Sequence, residues 1–356
     1  DYSYFDYKNL KGYVNHIPMQ QDAAGGHAYV LLCAYHKFGD PRYLEHCKSA
    51  LEALISQKES RFYEALLPLG VYVAAYLNAT EGTNYNVSKL FDWVFNGCQS
   101  SSGRTGWGII VGKWGDYDVS GLQGSITDGG GYAFLMNSIK PAWPFIPLVK
   151  YQPEYAKAIG KWMLNNSSAC RLFYPGDIDE KHQWAPELKN ITNNHVSYEG
   201  LRKADDYGKE SLKGVSPVAI GDGPKWIEGN PAESMFSVYS SSPVGILGAI
   251  ITKTDVEGIL QLDCNATDFY VDKPYPVYLY YNPYKEAKTI TYRASQECDL
   301  FDIVAKKYVA RNVNESGLIE IPANDARVIV ELPQGTVLEL QDGKIIANKE
   351  NIIAYK

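Results

Sequence analysis

Residues 105–134 concentrate residue types that can bind and cleave a sugar. They include Trp107 and Trp114, the carboxylates Asp116 and Asp118, and many glycines, which allow backbone to approach a ligand closely. Aromatic faces suit the apolar C–H faces of sugar rings. Glycoside cleavage needs a pair of carboxyl groups, which act as acid and base. The segment therefore predicts a sugar-binding loop in which Asp116 or Asp118 supplies one of the two carboxyl groups.

The second carboxyl group of such a pair has to come from another segment. Glu64 in "SRFYEA" is expected in the first turn of a buried helix, where the helix dipole favours a carboxylate. Asp128 precedes a predicted helix, and Glu228 lies with Trp226 in the Gly- and Pro-rich "GDGPKWIEGNPAES". Each has a structural alternative: Asp128 as an N-cap, residues 221–234 as a surface crossover, and Asp116 or Asp118 as solvated loop carboxylates.

Composition excludes several classes of function. The 356 residues carry a net charge of −7, and no Lys/Arg run offers a surface for nucleic acid or anionic lipid. No apolar run reaches the roughly 18 residues of a membrane span. The chain contains 28 Tyr and 7 Trp, which suit either sugar stacking or a large helical core.

Common catalytic and cofactor motifs are absent from the sequence. It has no GxSxG, HExxH, P-loop, GxGxxG after a strand, or EF-hand loop, and its six cysteines form no CxxC. We therefore expect no bound zinc, haem or nucleotide cofactor. Free buried thiols and disulfides both remain open for the six cysteines.

Residues 1–255 show mainly helical periodicity. One stripe of the first helix carries His27, Val30 and Phe38 and is expected to face the core, with His27 either a core histidine or a site residue. Asp40 and Pro41 predict the N-cap and first residue of the next helix. Later helices are expected at about 129–139, 153–168 and 243–251. Amphipathic helices alternating with apolar ones predict stacked helical hairpins, as in an α/α toroid or α-solenoid.

From residue 256 to residue 356 the period changes to two. Short alternating segments such as "VYLYYN", "KTITYR" and "ARVIVELP" are separated by Asn, Pro, Gly and Asp. Asp342-Gly343 predicts the turn of a final hairpin. Seven or more such strands are typical of a β-sandwich. The sequence thus predicts a helical domain at 1–255 and an all-β domain at 256–356.

The whole chain resembles the bacterial α/α-toroid carbohydrate-active enzymes, which comprise six-hairpin glycosidase-like hydrolases and related polysaccharide lyases. The resemblance rests on "QQDAAGGHAYVLLCAYHKFGD", "GWGIIVGKWGDYD", "YLYYNPYKEAKTITY" and "LIEIPANDARVIVELP". A complete toroid needs about twice the helices predicted here, so the ring is incomplete or the chain is part of a longer protein. The resemblance implies an oligo- or polysaccharide substrate and a secreted, periplasmic or cell-surface location.

Three functions follow from this resemblance. The first is a glycoside hydrolase with paired carboxylates. The second is a polysaccharide lyase, in which Tyr or His abstracts a proton from a uronic acid; His195 and Tyr198 in "NNHVSYEG" have the right types but also suit a polar loop. The third is a non-catalytic glycan-binding or scaffold protein. Acidic and aromatic loops favour the hydrolase. The residues predicted to contact substrate are Trp107, Trp114, Tyr117, Trp226, His27, His195 and Tyr198.

Overall fold

The chain is a mixed α/β protein whose C-terminal part is rich in β-strands. A computed structural model describes residues 4–14, 21–97, 106–126, 131–189, 198–204, 209–220, 243–269 and 271–355. The chain divides into two compact units. The first unit comprises Asp1–Val73, Asn86–Pro141 and Asn165–Gly245, and the second unit comprises Ala74–Tyr85, Ala142–Leu164 and Ile246–Lys356.

Eight α-helices lie within the described residues. They are α1 Ala23–Phe38, α2 Pro41–Ile55, α3 Leu67–Glu81, α4 Val87–Phe95, α5 Leu135–Ile139, α6 Ala142–Leu148, α7 Ala156–Ala169 and α8 Val244–Ile250. Asp40 caps α2 as predicted, since its Oδ1 accepts a bond from the Arg42 N–H at 2.9 Å, with Pro41 as the first helical residue. The helices predicted near 153–168 and 243–251 are confirmed as α7 and α8.

The predicted core face of α1 is wrong. Val30 and Phe38 are 65% and 64% exposed, and His27 is exposed as well, so this histidine is not part of a core. The buried face instead carries Ala28, Tyr29 and Leu32, together with the two glycines at its start. Hydrophobic periodicity predicts that the larger side chains face the core. The buried face of α1 is instead the one whose backbone lies close to the backbone of α3.

Gly25 of α1 and Gly70 of α3 allow the backbones of these two helices to lie close together. A Cβ atom at Gly25 would lie 2.8 Å from the carbonyl oxygen of Leu66 and 3.2 Å from the Cα of Gly70. At Gly70 it would lie 3.0 Å from the Cα of Gly25 and 2.5 Å from a methyl of Leu54. Only residues without a side chain permit this approach of the two helices.

An antiparallel sheet interrupts the helices of the first unit, where the sequence predicted mainly helix. Residues 132–134 are a strand, and the helix expected from about 129 begins only at Leu135. Strands of two or three residues give no measurable period, and their pairing is nonlocal. The strands of this unit are β1 Tyr4–Asp6, β2 Lys11–Tyr13, β3 Trp107–Ile109, β4 Lys113–Trp114, β5 Tyr117–Asp118, β6 Gln123–Ser125, β7 Tyr132–Phe134, β8 Gly200–Arg202 and β9 Val218–Ile220. The order of the strands in the five-stranded sheet is β3-β6-β7-β8-β9.

The strands predicted from residue 256 onward are present in the second unit. They form a six-stranded sheet in the order β10-β11-β12-β17-β14-β15, a pair β13-β16 and a three-stranded sheet β18-β19-β20. The strands are β10 Ile251–Lys253, β11 Leu260–Asp263, β12 Val277–Asn282, β13 Lys288–Arg293, β14 Cys298–Asp302, β15 Lys307–Val313, β16 Ser316–Ile321, β17 Asp325–Pro333, β18 Leu338–Gln341, β19 Lys344–Ala347 and β20 Asn351–Ala354.

Two of these sheets share a core. Ile290 and Ile319 of the β13-β16 pair cluster with Tyr280, Leu300 and Ile329 of the six-stranded sheet. Alternation along β13 and β16 places every second side chain in this core, which is the period that the sequence shows.

The final hairpin turns at Asp342-Gly343 as predicted. Gln341 pairs with Lys344, and both turn residues have positive φ, 50° and 78°. These are the angles of the two-residue turn that Asp-Gly favours. Within the described residues, no helix combines the length and apolar character needed to cross a membrane.

Candidate functional site

Asp22 is a buried carboxyl group at the start of α1. It is 2% exposed, and although it occupies the N-cap position its side chain makes no capping bond. Its Oδ2 instead accepts a bond from the main-chain N–H of Tyr63 at 3.3 Å. Burial raises the pKa of Asp22 to about 7, and the negative charge of Glu64 adds to the rise. Asp22 is therefore substantially protonated at neutral pH.

Glu64 lies in a turn before α3, and its backbone has a conformation that residues other than glycine rarely adopt. Its φ is 63°, in the left-handed region. The main-chain carbonyl of Glu64 accepts bonds from the indole Nε1 of Trp107, at 3.4 Å, and from the side-chain amide of Gln123. Such strain persists only where the surroundings fix it, and it is concentrated at functional sites.

The prediction that Glu64 occupies the first turn of a helix is wrong. The helix begins at Leu67, three residues further on. Pro68 explains the difference, because proline is tolerated in the first turn of a helix but not in its interior. The helix-dipole argument for the Glu64 carboxylate therefore does not apply.

A network of buried polar groups positions Gln123. The main-chain N–H of Gln123 donates to Ser138 Oγ at 2.9 Å, and Ser138 Oγ donates to the carbonyl of Phe134 at 2.8 Å. The amide of Asn166 donates to the carbonyls of Gly121 and Ser138 at 2.9 and 2.7 Å. These bonds fix β6 against α5, so the Gln123 side chain has a rigid base from which to hold Glu64.

Asn137 belongs to the same buried region. Its side chain is fully buried, and neither amide atom has a hydrogen-bond partner among the described residues. Oδ1 of Asp22 and Oε1 of Gln123 likewise lack a partner within that part of the chain. Unsatisfied buried polar groups are rare in proteins, and a catalytic role is one of the explanations for them.

Both described tryptophans of the Gly/Trp segment are buried. Trp107 is 2% exposed and its ring centroid lies 5.0 Å from that of Tyr63. Trp114 is 5% exposed, and its ring lies so close to Gly131 that a Cβ there would approach it to 2.9 Å. Neither ring is an open platform for a sugar in this conformation. Trp226, which is also predicted to contact substrate, lies outside the described residues.

Asp116 and Asp118 belong to a tight hairpin. Lys113 pairs with Asp118 across the strands β4 and β5, and Gly115-Asp116 form the exposed turn. The exposed Asp118 accepts a bond from the N–H of Ser120 at 2.9 Å, and bonding to Ser120 holds the pKa of Asp118 below its usual value. Because a lowered pKa favours the ionised carboxylate, Asp118 suits the role of a hydrogen-bond acceptor rather than that of a general acid. The catalytic assignment of both residues stays a prediction.

Tyr117 of the same hairpin contacts Asp179 and His182. Its hydroxyl accepts a bond from the N–H of Asp179 at 3.1 Å, and its ring packs edge-on against His182. Tyr198 is also structural in its contacts: it is buried, and its hydroxyl donates to Oε1 of Gln183 at 3.0 Å. Asp128, His195, Trp226 and Glu228 lie outside the described residues.

The described part of the chain contains neither a candidate metal site nor a disulfide. It contains no group of three or more His, Cys, Asp or Glu side chains able to hold a metal ion. Its five described cysteines are free thiols, and all but Cys33 are buried. Burial raises the pKa of Cys47 to about 12, which disfavours the reactive thiolate.

Asp22 and Gln123 are the site residues that sequence reasoning missed. Asp22 carries one signal in the sequence, an acidic residue three positions before the paired glycines Gly25 and Gly26 at the start of a helix. No family model matches the sequence, and no curated protein matches it significantly. The geometry around Asp22 and Glu64 is therefore the observation on which a function can be argued.

Proposed function

We propose that the first unit is a glycoside hydrolase in which Asp22 and Glu64 are the paired carboxyl groups. The observation that carries the proposal is the buried carboxyl group of Asp22 next to Glu64, whose charge acts on Asp22 and whose strained turn is held through its main-chain carbonyl by Trp107 and Gln123. In this proposal the substrate is an oligo- or polysaccharide, and the location is secreted, periplasmic or cell-surface, as the resemblance to toroid enzymes implies.

The two carboxyl groups have different environments, which suits different roles. Asp22 is protonated in part at neutral pH, and its Oδ1 has no partner among the described residues, so it is the general acid. Because Asp22 is buried, its proton reaches the glycosidic oxygen through one intervening water. Glu64 is half-buried and more accessible, and it acts as the base or nucleophile. The half-buried ring of Tyr63 lies beside it as a sugar contact.

The resemblance to toroid enzymes is part of the same proposal. Helices α1 and α2 are joined by only Gly39 and Asp40, and they contact each other along their length, as paired helices of a hairpin do. Two sheets with a common core support the accessory β-sandwich. The ring itself is a proposal that extends this one helix pair to the rest of the helical segments.

The lyase alternative receives less support from the described residues. Of its two candidate bases, Tyr198 has a buried hydroxyl that already donates to Gln183, and His195 lies outside the described residues. A proton abstraction from a uronic acid would require that hydroxyl to reach the substrate. The non-catalytic alternative is distinguished by experiment.

Four carboxamide variants test the proposal on a panel of glycans assayed for new reducing ends. Asp22→Asn and Glu64→Gln should each lower turnover by about 10²- to 10⁴-fold, as expected for loss of an acid or base group. Asp116→Asn and Asp118→Asn test the alternative assignment to the exposed hairpin, and both variants should retain activity if Asp22 and Glu64 are the catalytic pair. The reverse pattern would return catalysis to the hairpin. Unsaturated products would indicate the lyase, and binding without cleavage would indicate the non-catalytic protein.

A further inference from the structure

The second unit contains a pocket with an aromatic wall and a polar floor. The pocket has a volume of about 90 Å³, smaller than the roughly 300–1,000 Å³ typical of drug-sized ligand sites, so only a small ligand or one residue of a longer ligand can enter it. Tyr76, Tyr151, Tyr275 and Tyr355 line it, together with aliphatic side chains of β12, β17 and β20. All of these residues belong to the second unit, so the pocket is separate from the residues assigned to catalysis.

The aromatic wall is made of rings in mutual contact. The centroids of Tyr76 and Tyr151 are 5.0 Å apart in an edge-to-face arrangement, and those of Tyr151 and Tyr355 are 5.7 Å apart. Tyr76 and Tyr151 are buried. Tyr275 and Tyr355 are half-buried and present part of their surface to the pocket. A ligand with a flat apolar face would therefore stack on Tyr275 or Tyr355.

The polar floor is built around Lys150. Its ammonium lies 2.5 Å from Oδ2 of Asp268 and donates to Oδ1 of Asn265 at 2.9 Å. Asp268 also accepts from the hydroxyl of Tyr151 at 2.7 Å, and the amide of Asn265 donates to the carbonyl of Tyr275 at 2.8 Å. A lysine ammonium has three donors, and these contacts use two of them. The third can serve a ligand oxygen in the pocket.

The charge balance of the pocket identifies the ligand class. Asp268 neutralises Lys150, and at the mouth the exposed Asp272 and Lys273 offset one another. A phosphate or nucleotide needs a surplus of positive charge that this pocket does not have. A purely apolar ligand would make no use of the third donor of Lys150. Apolar ring faces combined with uncharged hydroxyls satisfy both the wall and the floor.

We propose that this pocket is a binding site for a neutral sugar residue, with stacking on Tyr275 and Tyr355 and hydroxyl bonding to Lys150. The site goes beyond the proposed catalytic function, since its contacts share no residue with the carboxyl pair. It would hold a glycan chain on the second unit independently of cleavage.

Titration of the full chain with neutral sugars tests the proposal. Glucose, galactose, mannose, xylose and their common disaccharides are followed by saturation-transfer NMR and calorimetry at up to millimolar concentration. At least one should bind. Tyr355→Ala should weaken that binding about tenfold or more, which corresponds to about 1.4 kcal/mol, and Tyr275→Ala provides a second variant should the first fail to fold. Tyr308→Ala, a half-buried tyrosine outside the pocket, should retain the affinity.

Several outcomes would overturn the site. They are the absence of binding by every sugar of the panel, binding of inorganic phosphate or AMP in competition with a sugar, and unchanged affinity in the folded Tyr355→Ala and Tyr275→Ala proteins. Glu64→Gln separates this inference from the proposed function. It should bind sugar with unchanged affinity here, and if it abolishes binding the sugar occupies the first unit instead.

Discussion

The main-chain N–H of Tyr63 donates to the carboxyl of Asp22 across 3.3 Å, and it joins the start of α1 to the turn that contains Glu64. This bond favours the charged form of Asp22, yet burial outweighs it and the pKa is raised to about 7. The fold therefore retains a carboxyl group in an environment that opposes its ionisation. Stability below the achievable maximum is the usual cost of a functional site.

Asp22 makes the folded protein less stable as pH rises. Its folded pKa of about 7 exceeds the ordinary value of 3.8, so between these values only the folded state holds the proton. The stabilisation is complete below pH 3.8, declines as pH rises, and is gone above about pH 7. At about 1.4 kcal/mol for each pH unit, the change is on the order of 4 kcal/mol.

Asp22→Asn removes this pH dependence because the amide stays neutral. The variant should gain stability relative to the natural protein as pH rises from 5 to 8. Urea unfolding at both pH values measures the two free energies. An equal loss or gain at pH 5 and pH 8 would show that Asp22 has an ordinary pKa.

Glu64→Gly should be more stable than Glu64→Ala by about 0.5–1 kcal/mol. Glycine populates positive φ without a steric cost, whereas alanine retains a Cβ at φ 63°. Both variants lack the carboxylate and should be equally inactive on glycans. Thermal and urea unfolding of the two proteins give the comparison. Equal stability would mean that the turn relaxes once the carboxylate is removed.

Sequence reasoning located the elements with strong local signals. The Asp40 cap, the apolar α3 and the Asp342-Gly343 turn each depend on neighbouring residues, and all three are confirmed. The sheet of the first unit was missed because pairs such as Tyr132 with Arg202 join segments about 70 residues apart. Strands this short leave no period to detect.

Gly25→Ala should destabilise the protein by about 1–3 kcal/mol. The new methyl would lie 2.8 Å from the main-chain oxygen of Leu66, so α1 and α3 would have to separate. Gly248→Ala in α8 is the matched control, because no atom of the described residues outside its own stretch of helix lies within 4 Å of its Cβ position. That change should stabilise by up to about 1 kcal/mol through helix propensity. Similar values for the two variants in urea unfolding would contradict a close helix contact.

The candidate site was predictable only in part, for a physical reason. Glu64 and Trp107 were identified from residue type, and the structure connects them through the Glu64 main-chain carbonyl rather than through the carboxylate. No side-chain pattern encodes a backbone acceptor. Asp22 could not be distinguished from an ordinary helix cap, because its burial depends on packing against Tyr63, which is 41 residues away.

Lys150 and Asp268 should show strong energetic coupling in a double-mutant cycle. Both side chains are largely buried and their charged atoms are 2.5 Å apart, so Lys150→Met or Asp268→Asn alone leaves an uncompensated group in the interior. Each single change should cost about 3–5 kcal/mol, while the double variant should cost clearly less than the sum because no charge remains. Urea unfolding of the four proteins at pH 7 measures the cycle. Additive losses would mean that each group is solvated independently, and the polar floor of the pocket would then lack the fixed geometry on which sugar binding depends.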